Sequence, residues 1–222
     1  MTKPLTIDFI SDVVCPWCVI GLRELETALA RMGDEVQPVF RFQPFELNPA
    51  MPPEGQNVGE HVQEKYGSTP AQSAGTRTMI KDRAAALGFT MNGSADSRIY
   101  NTFDAHRLLH WAGEQGRQIE LKRALFDAYF TEQTNVSDQE VLVAKAIEVG
   151  LDGDEARAIL ASDRYAIEVR AAEGAWHEAG IASVPTVVFN EKYMVSGGQP
   201  AELFERVLRK IVAERALAAA PT

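Results

Sequence analysis

Apolar and polar positions along the chain change their period twice. Leu5 to Ile10 is a short apolar run whose one charge is Asp8, and it reads as a buried strand. Val19 to Met32 has helical spacing. Val36 to Phe42 alternates as a second strand, with Pro38 marking a sheet edge or a strand start. Pro44 to Gly59 holds four prolines and two glycines, which predicts a long irregular loop of the kind that is often functional.

From Gly59 to Ala179 the pattern is helical, and no strand is predicted. Thr69-Pro70 supplies an N-cap and a first-turn proline for a helix ending at Gly88. Ser94 to Gly116 predicts a longer helix with Ile99, Phe103, His106 and His110 on one face. Ser137-Asp138-Gln139-Glu140 reads as a capping box, Leu151 to Glu155 as a helix start, and Tyr165 to Ala179 as a long helix. Strand pattern returns at Val184 to Phe189. A turn at Asn190-Glu191-Lys192 and a short strand at Tyr193 to Val195 complete a hairpin. The last helix carries Leu203, Phe204, Val207, Leu208, Ile211 and Val212 as one stripe, then an Ala-rich tail from Ala216 to Ala220.

Strand, helix and strand, then hairpin and helix, make an α/β thioredoxin fold interrupted by a large all-helical insertion. The boundaries predicted are 1–58 and 180–222 for the thioredoxin-like domain and 59–179 for the insertion. A formal net charge of −9 argues against nucleic-acid partners and against an anionic membrane surface. No apolar run approaches membrane-spanning length. Met1-Thr2-Lys3-Pro4 leads into the first strand without a signal-peptide hydrophobic segment, so a cytoplasmic location is expected.

The two cysteines of the chain, Cys15 and Cys18, stand three apart between the first strand and the first helix. That is the layout of a thioredoxin-like redox site. Unpaired backbone N–H groups and the macrodipole at a helix start favour a thiolate on the first sulfur. Pro16 suits the first turn, where its missing N–H costs nothing. Cys15 is therefore the expected nucleophile and Cys18, one turn on, the resolving thiol. A structural zinc site lacks ligands, because there is no further cysteine and His61, His106, His110 and His177 show no paired spacing with the motif. A c-type haem site needs histidine where Val19 stands. No metal or resident cofactor is expected. Two unreactive buried thiols are the structural alternative.

Asp12-Val13-Val14-Cys15-Pro16-Trp17-Cys18, Pro44-Phe45-Glu46-Leu47-Asn48-Pro49, Asn101 to Leu108, Val184-Pro185-Thr186 and Val195-Ser196-Gly197-Gly198-Gln199 occur in that order along nearly the whole chain. In these segments the chain resembles the DsbA-like thioredoxin family, and within it the cytoplasmic FrnE-type dithiol-disulfide oxidoreductases. The resemblance implies that Pro185 is a cis-proline lying against the dithiol, with the Val184 backbone free to pair with an extended substrate. Pro16, Trp17, Val184 and Pro185 are thus the expected substrate-facing residues. Trp17 stands between the cysteines where the periplasmic DsbA pattern has histidine, so the oxidising character of those enzymes does not carry over.

Asp12 reads either as a turn residue that orders its loop or as a carboxylate that takes protons from Cys18. His106 reads either as a hydrogen-bonded core histidine or as a group facing the dithiol. Trp111, Trp176 and Phe126 read as core. The function expected is thiol-disulfide oxidoreductase or isomerase, acting on disulfide-containing proteins or small thiols, with glutathione as an open co-substrate. Two other classes stay open. One is a glutathione-dependent isomerase or transferase of the hydroxychromene carboxylate or kappa type, which typically carries serine at the first active position. The other is a non-enzymatic redox-sensing partner protein. Redox direction and oligomeric state are not set by the sequence.

Overall fold

The computed structural model describes residues 4–52 and 54–219. Met1 to Lys3 of the N-terminal segment, Pro53 of the proline-rich loop and Ala220 of the tail lie outside the described residues. Strand β1 (Leu5–Ser11) runs parallel to β2 (Pro38–Pro44) and antiparallel to β5 (Thr186–Phe189), which pairs antiparallel with β6 (Tyr193–Ser196). The sheet order is β2-β1-β5-β6. A parallel pair needs a crossover, and helix α1 (Pro16–Met32) supplies it. Pro38 and Pro44 are tolerated because β2 is an edge strand.

Strand β1 is central, so both of its edges are paired, and both of its faces are covered. Leu5, Ile7 and Phe9 join the main core with α1 and the C-terminal helix α9 (Ala201–Ala219), whereas Ile10 packs with Phe45, Ile181 and Val188 in a second cluster. Asp8 is only 1% exposed. It is held by a two-pronged bond from Arg41 Nε and Nη2 at 2.8 and 2.7 Å and by Gln43 Nε2 at 2.7 Å. Charge-assisted bonds of that geometry let a carboxylate sit in a central strand.

Between β2 and β5 the chain forms α2 (Val58–Tyr66), α3 (Pro70–Ala86), α4 (Phe103–Glu114), α5 (Gln118–Phe126), α6 (Gln139–Glu148), α7 (Gly153–Leu160) and α8 (Ala166–Glu178). The whole is the split thioredoxin fold expected from the sequence. Helices α4, α5 and α8 lie against β2, and α3 reaches α1. Thr69 and Gln72 form a reciprocal capping box at α3.

Several details depart from expectation. Residues Arg98–Ile99 form a short strand β4 that pairs with β3 (Gln56–Asn57), so a strand does interrupt the insertion and the proline-rich loop is partly ordered. Ile99 is accordingly in β4, and the helix bearing His106 begins only at Phe103. The α6 N-cap is Asp138, whose side chain accepts from the Glu140 N–H, while Ser137 bonds to Asn135. Two adjacent capping residues gave the pattern, and the second one is used.

Gly21, on the inner face of α1, is where the helix meets the segment around Pro185. A Cβ there would stand 3.0 Å from Pro185 Cγ and 3.4 Å from Gly198 Cα. Gly21→Val should lower the urea midpoint by an amount corresponding to about 1–3 kcal/mol, the usual cost of overpacking. A midpoint equal to that of the wild type would show that helix and loop part without cost.

Candidate active site

Cys15 is the N-cap of α1, in extended conformation with φ −91° and ψ 111°, and Pro16 follows in the first turn. No acidic residue occupies that turn and no side chain caps it, so the positive end of the helix is not neutralised there. The Cys18 N–H donates to the Cys15 carbonyl at 3.0 Å. Cys15 is 3% exposed and Cys18 wholly buried behind it. The Val184–Pro185 peptide bond is cis, and the Val184 carbonyl oxygen stands 3.8 Å from Cys15 Sγ.

Trp17 meets two other parts of the chain. The Arg83 guanidinium of α3 lies 5.4 Å from its ring centroid, and Arg83 Nη2 donates to the Gly198 carbonyl at 2.7 Å. A Cβ on Gly198 would come 3.1 Å from the Trp17 carbonyl oxygen and 3.2 Å from its ring. Any side chain at Gly198 would have to push Trp17 back by a few tenths of an ångström. The Gly197 N–H donates to the Pro185 carbonyl at 2.8 Å, so the Ser196-Gly197-Gly198 turn, Pro185 and Trp17 form one packed unit.

Below the dithiol lies a buried polar group. Asp12 Oδ2 accepts from the Leu47 N–H at 2.7 Å, which fixes the loop after β2. Asp12 Oδ1 stands 3.5 Å from His106 Nε2 of α4, and neither atom has a hydrogen-bond partner. Burial drives the Asp12 carboxyl up, but His106, the Leu47 N–H and the charge of Lys122 together hold it below its ordinary value. Burial and the neighbouring Cys15 thiol push Cys18 well above the ordinary thiol range, against the opposing charge of Lys122 and the Asp12 N–H. Lys122 of α5 is itself fully buried, and its Nζ has no hydrogen-bond partner. Burial lowers it to about 8, opposed by the charges of Cys18, Asp12 and Cys15.

A cavity of about 1270 Å³ opens over Cys15. Cys15, Trp17 and Val184 line it from the thioredoxin half, and Ile80, Tyr100 and Tyr129 from the insertion. Glu46 also lines it, and its pairing with Arg170, which in turn bonds Glu173 at 2.8 Å, ties the loop after β2 to α8. Burial and the charge of Glu173 raise the Glu46 carboxyl despite Arg170.

Of the residues singled out in the sequence, Cys15, Pro16, Trp17 and Val184 meet at the cavity, Pro185 packs beneath against Gly21, and Cys18, Asp12 and His106 lie buried. The Asp12 side chain ties down the loop after β2 rather than its own turn. Trp111 and Phe126 are core, while Trp176 is only partly buried, against the second cluster. Lys122 and Arg83 went unremarked. For Lys122 a signal existed: Lys122, Leu125, Phe126 and Tyr129 follow helical spacing, and all four are buried, so a lysine occupied an apolar-face position.

The profile of the DSBA-like thioredoxin domain matches residues 6–209. The uncharacterized protein YwbO of Bacillus subtilis is 30% identical over 199 residues, which is 89% of this chain and 92% of that protein. The structure of the probable DsbA oxidoreductase SCO1869 from Streptomyces coelicolor superposes with a TM-score of 0.87 at 36% identity, covering 98% of this chain and 92% of that one. The cytosolic disulfide reductase DsbM from Pseudomonas aeruginosa, at 16% identity, shares the fold with a TM-score of 0.63 over 94% of this chain and 99% of its own.

Proposed function

Because this chain belongs to the DSBA-like thioredoxin domain family, we propose that it is a thiol-disulfide oxidoreductase or isomerase in which Cys15 attacks and Cys18 resolves. The observation that carries the assignment is the asymmetry of the pair. Cys15 caps a helix at the wall of a cavity, and Cys18 is buried behind it. Cys15 as thiolate attacks one sulfur of a substrate disulfide and the other sulfur leaves with the bonding electrons. Cys18 then attacks Cys15, forms the Cys15–Cys18 disulfide and releases the second substrate sulfur as a thiol. The potential of the partner couple sets the direction.

The motifs quoted above favour the FrnE type and a cytoplasmic setting, with disulfide-bearing proteins or small thiols as substrates and glutathione as co-substrate. Pro16, Trp17 and Val184 form the substrate-facing edge in this reading, with Pro185 packed behind them against Gly21. No helix of the described residues is long and apolar enough to cross a membrane. A cavity of about 1270 Å³ exceeds the roughly 300–1,000 Å³ usual for small-ligand sites, which favours an extended peptide segment over a compact small molecule.

Native alkylation tests the roles. Iodoacetamide at pH 7 should label Cys15 about a hundredfold faster than Cys18, read by peptide mass spectrometry, because Cys15 borders the cavity while Cys18 is wholly buried with its thiol held protonated. Equal labelling rates would remove the assignment.

A further inference from the structure

The cavity over Cys15 differs in charge from the rest of the chain. The sequence carries a formal net charge of −9, yet Lys65, Arg77, Lys81 and Arg98 line the cavity against two carboxylates, Glu46 and Asp96. Of these acids, Glu46 is taken up by Arg170. Elsewhere basic side chains sit on acids, as Arg31 does on Glu202, Arg123 on Glu26 and Lys145 on Glu132. The cations of the cavity do not. Lys65 Nζ donates to the Leu47 carbonyl and to Asn48 Oδ1 at 2.8 and 2.7 Å, and Arg98 donates to the Glu54 and Gly55 carbonyls at 2.9 and 2.8 Å, all neutral acceptors. Arg77 and Lys81 make no hydrogen bond or ion pair among the described residues.

These two unpaired cations belong to one stripe of α3. Ser73, Thr76, Arg77, Ile80 and Lys81 follow the spacing of a single helix face, and all of them line the cavity. A helix face turned into a protein is ordinarily apolar, and on this one only Ile80 is. Arg77 and Lys81 are half-buried, and Ser73 Oγ is buried without a hydrogen-bond partner. Polar groups withdrawn from water and left unsatisfied are ready to receive a ligand. The same helix is anchored at the dithiol motif, where Arg83 lies 5.4 Å from the Trp17 ring centroid. Lys81 and Arg77 precede Arg83 on α3, so they stand roughly 3 and 9 Å along the axis from that anchor at about 1.5 Å per residue. An extended peptide covers such a distance in about one to three residues.

We propose that Arg77 and Lys81 make the cavity selective for acidic substrates. The occupant is a disulfide-bearing polypeptide segment whose Asp or Glu side chains, within about three residues of the half-cystine, pair with the two cations while Cys15 attacks its sulfur. This deepens the dithiol reading above and rests on it. Arg77 and Lys81 hold the residues that flank the reacting sulfurs, so they set affinity rather than the chemical step. A polypeptide is preferred to a small anionic thiol because the cations are spread over α2, α3 and β4 around about 1270 Å³, more than a compact ligand fills.

Short peptides with a central cysteine activated as its 2-pyridyl disulfide, and with Glu, Gln or Lys at the neighbouring positions, test this with the reduced full-length protein. Attack forms the Cys15–peptide disulfide, and 2-thiopyridone leaves with the electron pair of the broken S–S bond and is read by absorbance. Cys18 then frees the peptide. Each rate is divided by that of the same peptide with dithiothreitol, which removes the peptide's own reactivity. At subsaturating peptide and low salt the Glu peptide should react about tenfold faster than the Gln peptide, the scale that two partly shielded ion pairs supply, and added salt should shrink the ratio. Arg77→Gln with Lys81→Gln should bring the ratio below about twofold. Arg77→Glu with Lys81→Glu should favour the Lys peptide, a reversal that disturbed folding cannot produce. Equal wild-type rates for Glu and Gln peptides would overturn the proposal, as would a Glu preference that survives both double variants. A loss in those variants confined to the 2-pyridyl disulfide of glutathione would overturn it in favour of a small anionic thiol. Release by Cys15→Ser as fast as by the wild type would instead overturn the dithiol reading itself.

Discussion

Cys18→Ser is expected to accumulate mixed disulfides on Cys15, and Cys15→Ser to accumulate none while losing thiol-disulfide exchange by about three orders of magnitude or more, the scale seen when a nucleophile is deleted. The two variants differ because the steps are sequential. With Cys18 replaced, the first bond still forms but nothing is placed to displace it. With Cys15 replaced, the remaining thiol is wholly buried and held protonated by its surroundings, so it cannot take over. Rapid alkylation of cells expressing each variant, followed by non-reducing gels and mass spectrometry, reads the outcome. Equal adducts on both would reject the assignment of nucleophile. Adducts on Cys18→Ser consisting of glutathione alone would transfer preference to a glutathione-dependent isomerase or transferase.

Lys122→Met is expected to stabilise the reduced protein by about 3 kcal/mol at pH 7. Lysine titrates near 10.5 when solvated and near 8 in this fold, and each unit is worth about 1.4 kcal/mol. The folded-state value lies below the unfolded one, so between pH 8 and 10.5 the unfolded chain binds the extra proton and wild-type stability climbs with pH. Below pH 8 the whole cost of burying the charge is present. The advantage of the Met variant, similar in length but apolar, should therefore be full at pH 7 and fade by about pH 10.5. Urea unfolding of both proteins at the two pH values measures it. A Met variant less stable at pH 7 would mean that the ammonium is better solvated or paired than its burial implies. On this account the buried ammonium of Lys122 weakens the fold at neutral pH.

The thioredoxin half was readable because its signals are local. The apolar run at Leu5, the alternation at Phe40 and Phe42 and the hairpin around Asn190 each announce a strand within a few residues. Cys15 and Cys18 were readable for the same reason. The strands β3 and β4 were not, since each spans two residues and exists only through pairing with a partner some 40 positions away. Lys122 was overlooked because long charged side chains on helices usually reach solvent, and only tertiary packing shows that this one does not. Asp12 and His106 each had two readings from sequence. Their 3.5 Å approach joins a loop before α1 to a helix of the insertion, which no local pattern encodes.

The sheet order also constrains the sequence of events at the ribosome. Strand β1 can pair with β2 as soon as Pro44 has emerged, but its other edge waits for β5, which begins at Thr186. At usual elongation rates the intervening chain takes on the order of ten seconds to synthesise. For that interval the nascent protein presents an apolar strand edge beside two thiols, a template for wrong pairing that the helices of the insertion, folding as they appear, must cover or a chaperone must shield.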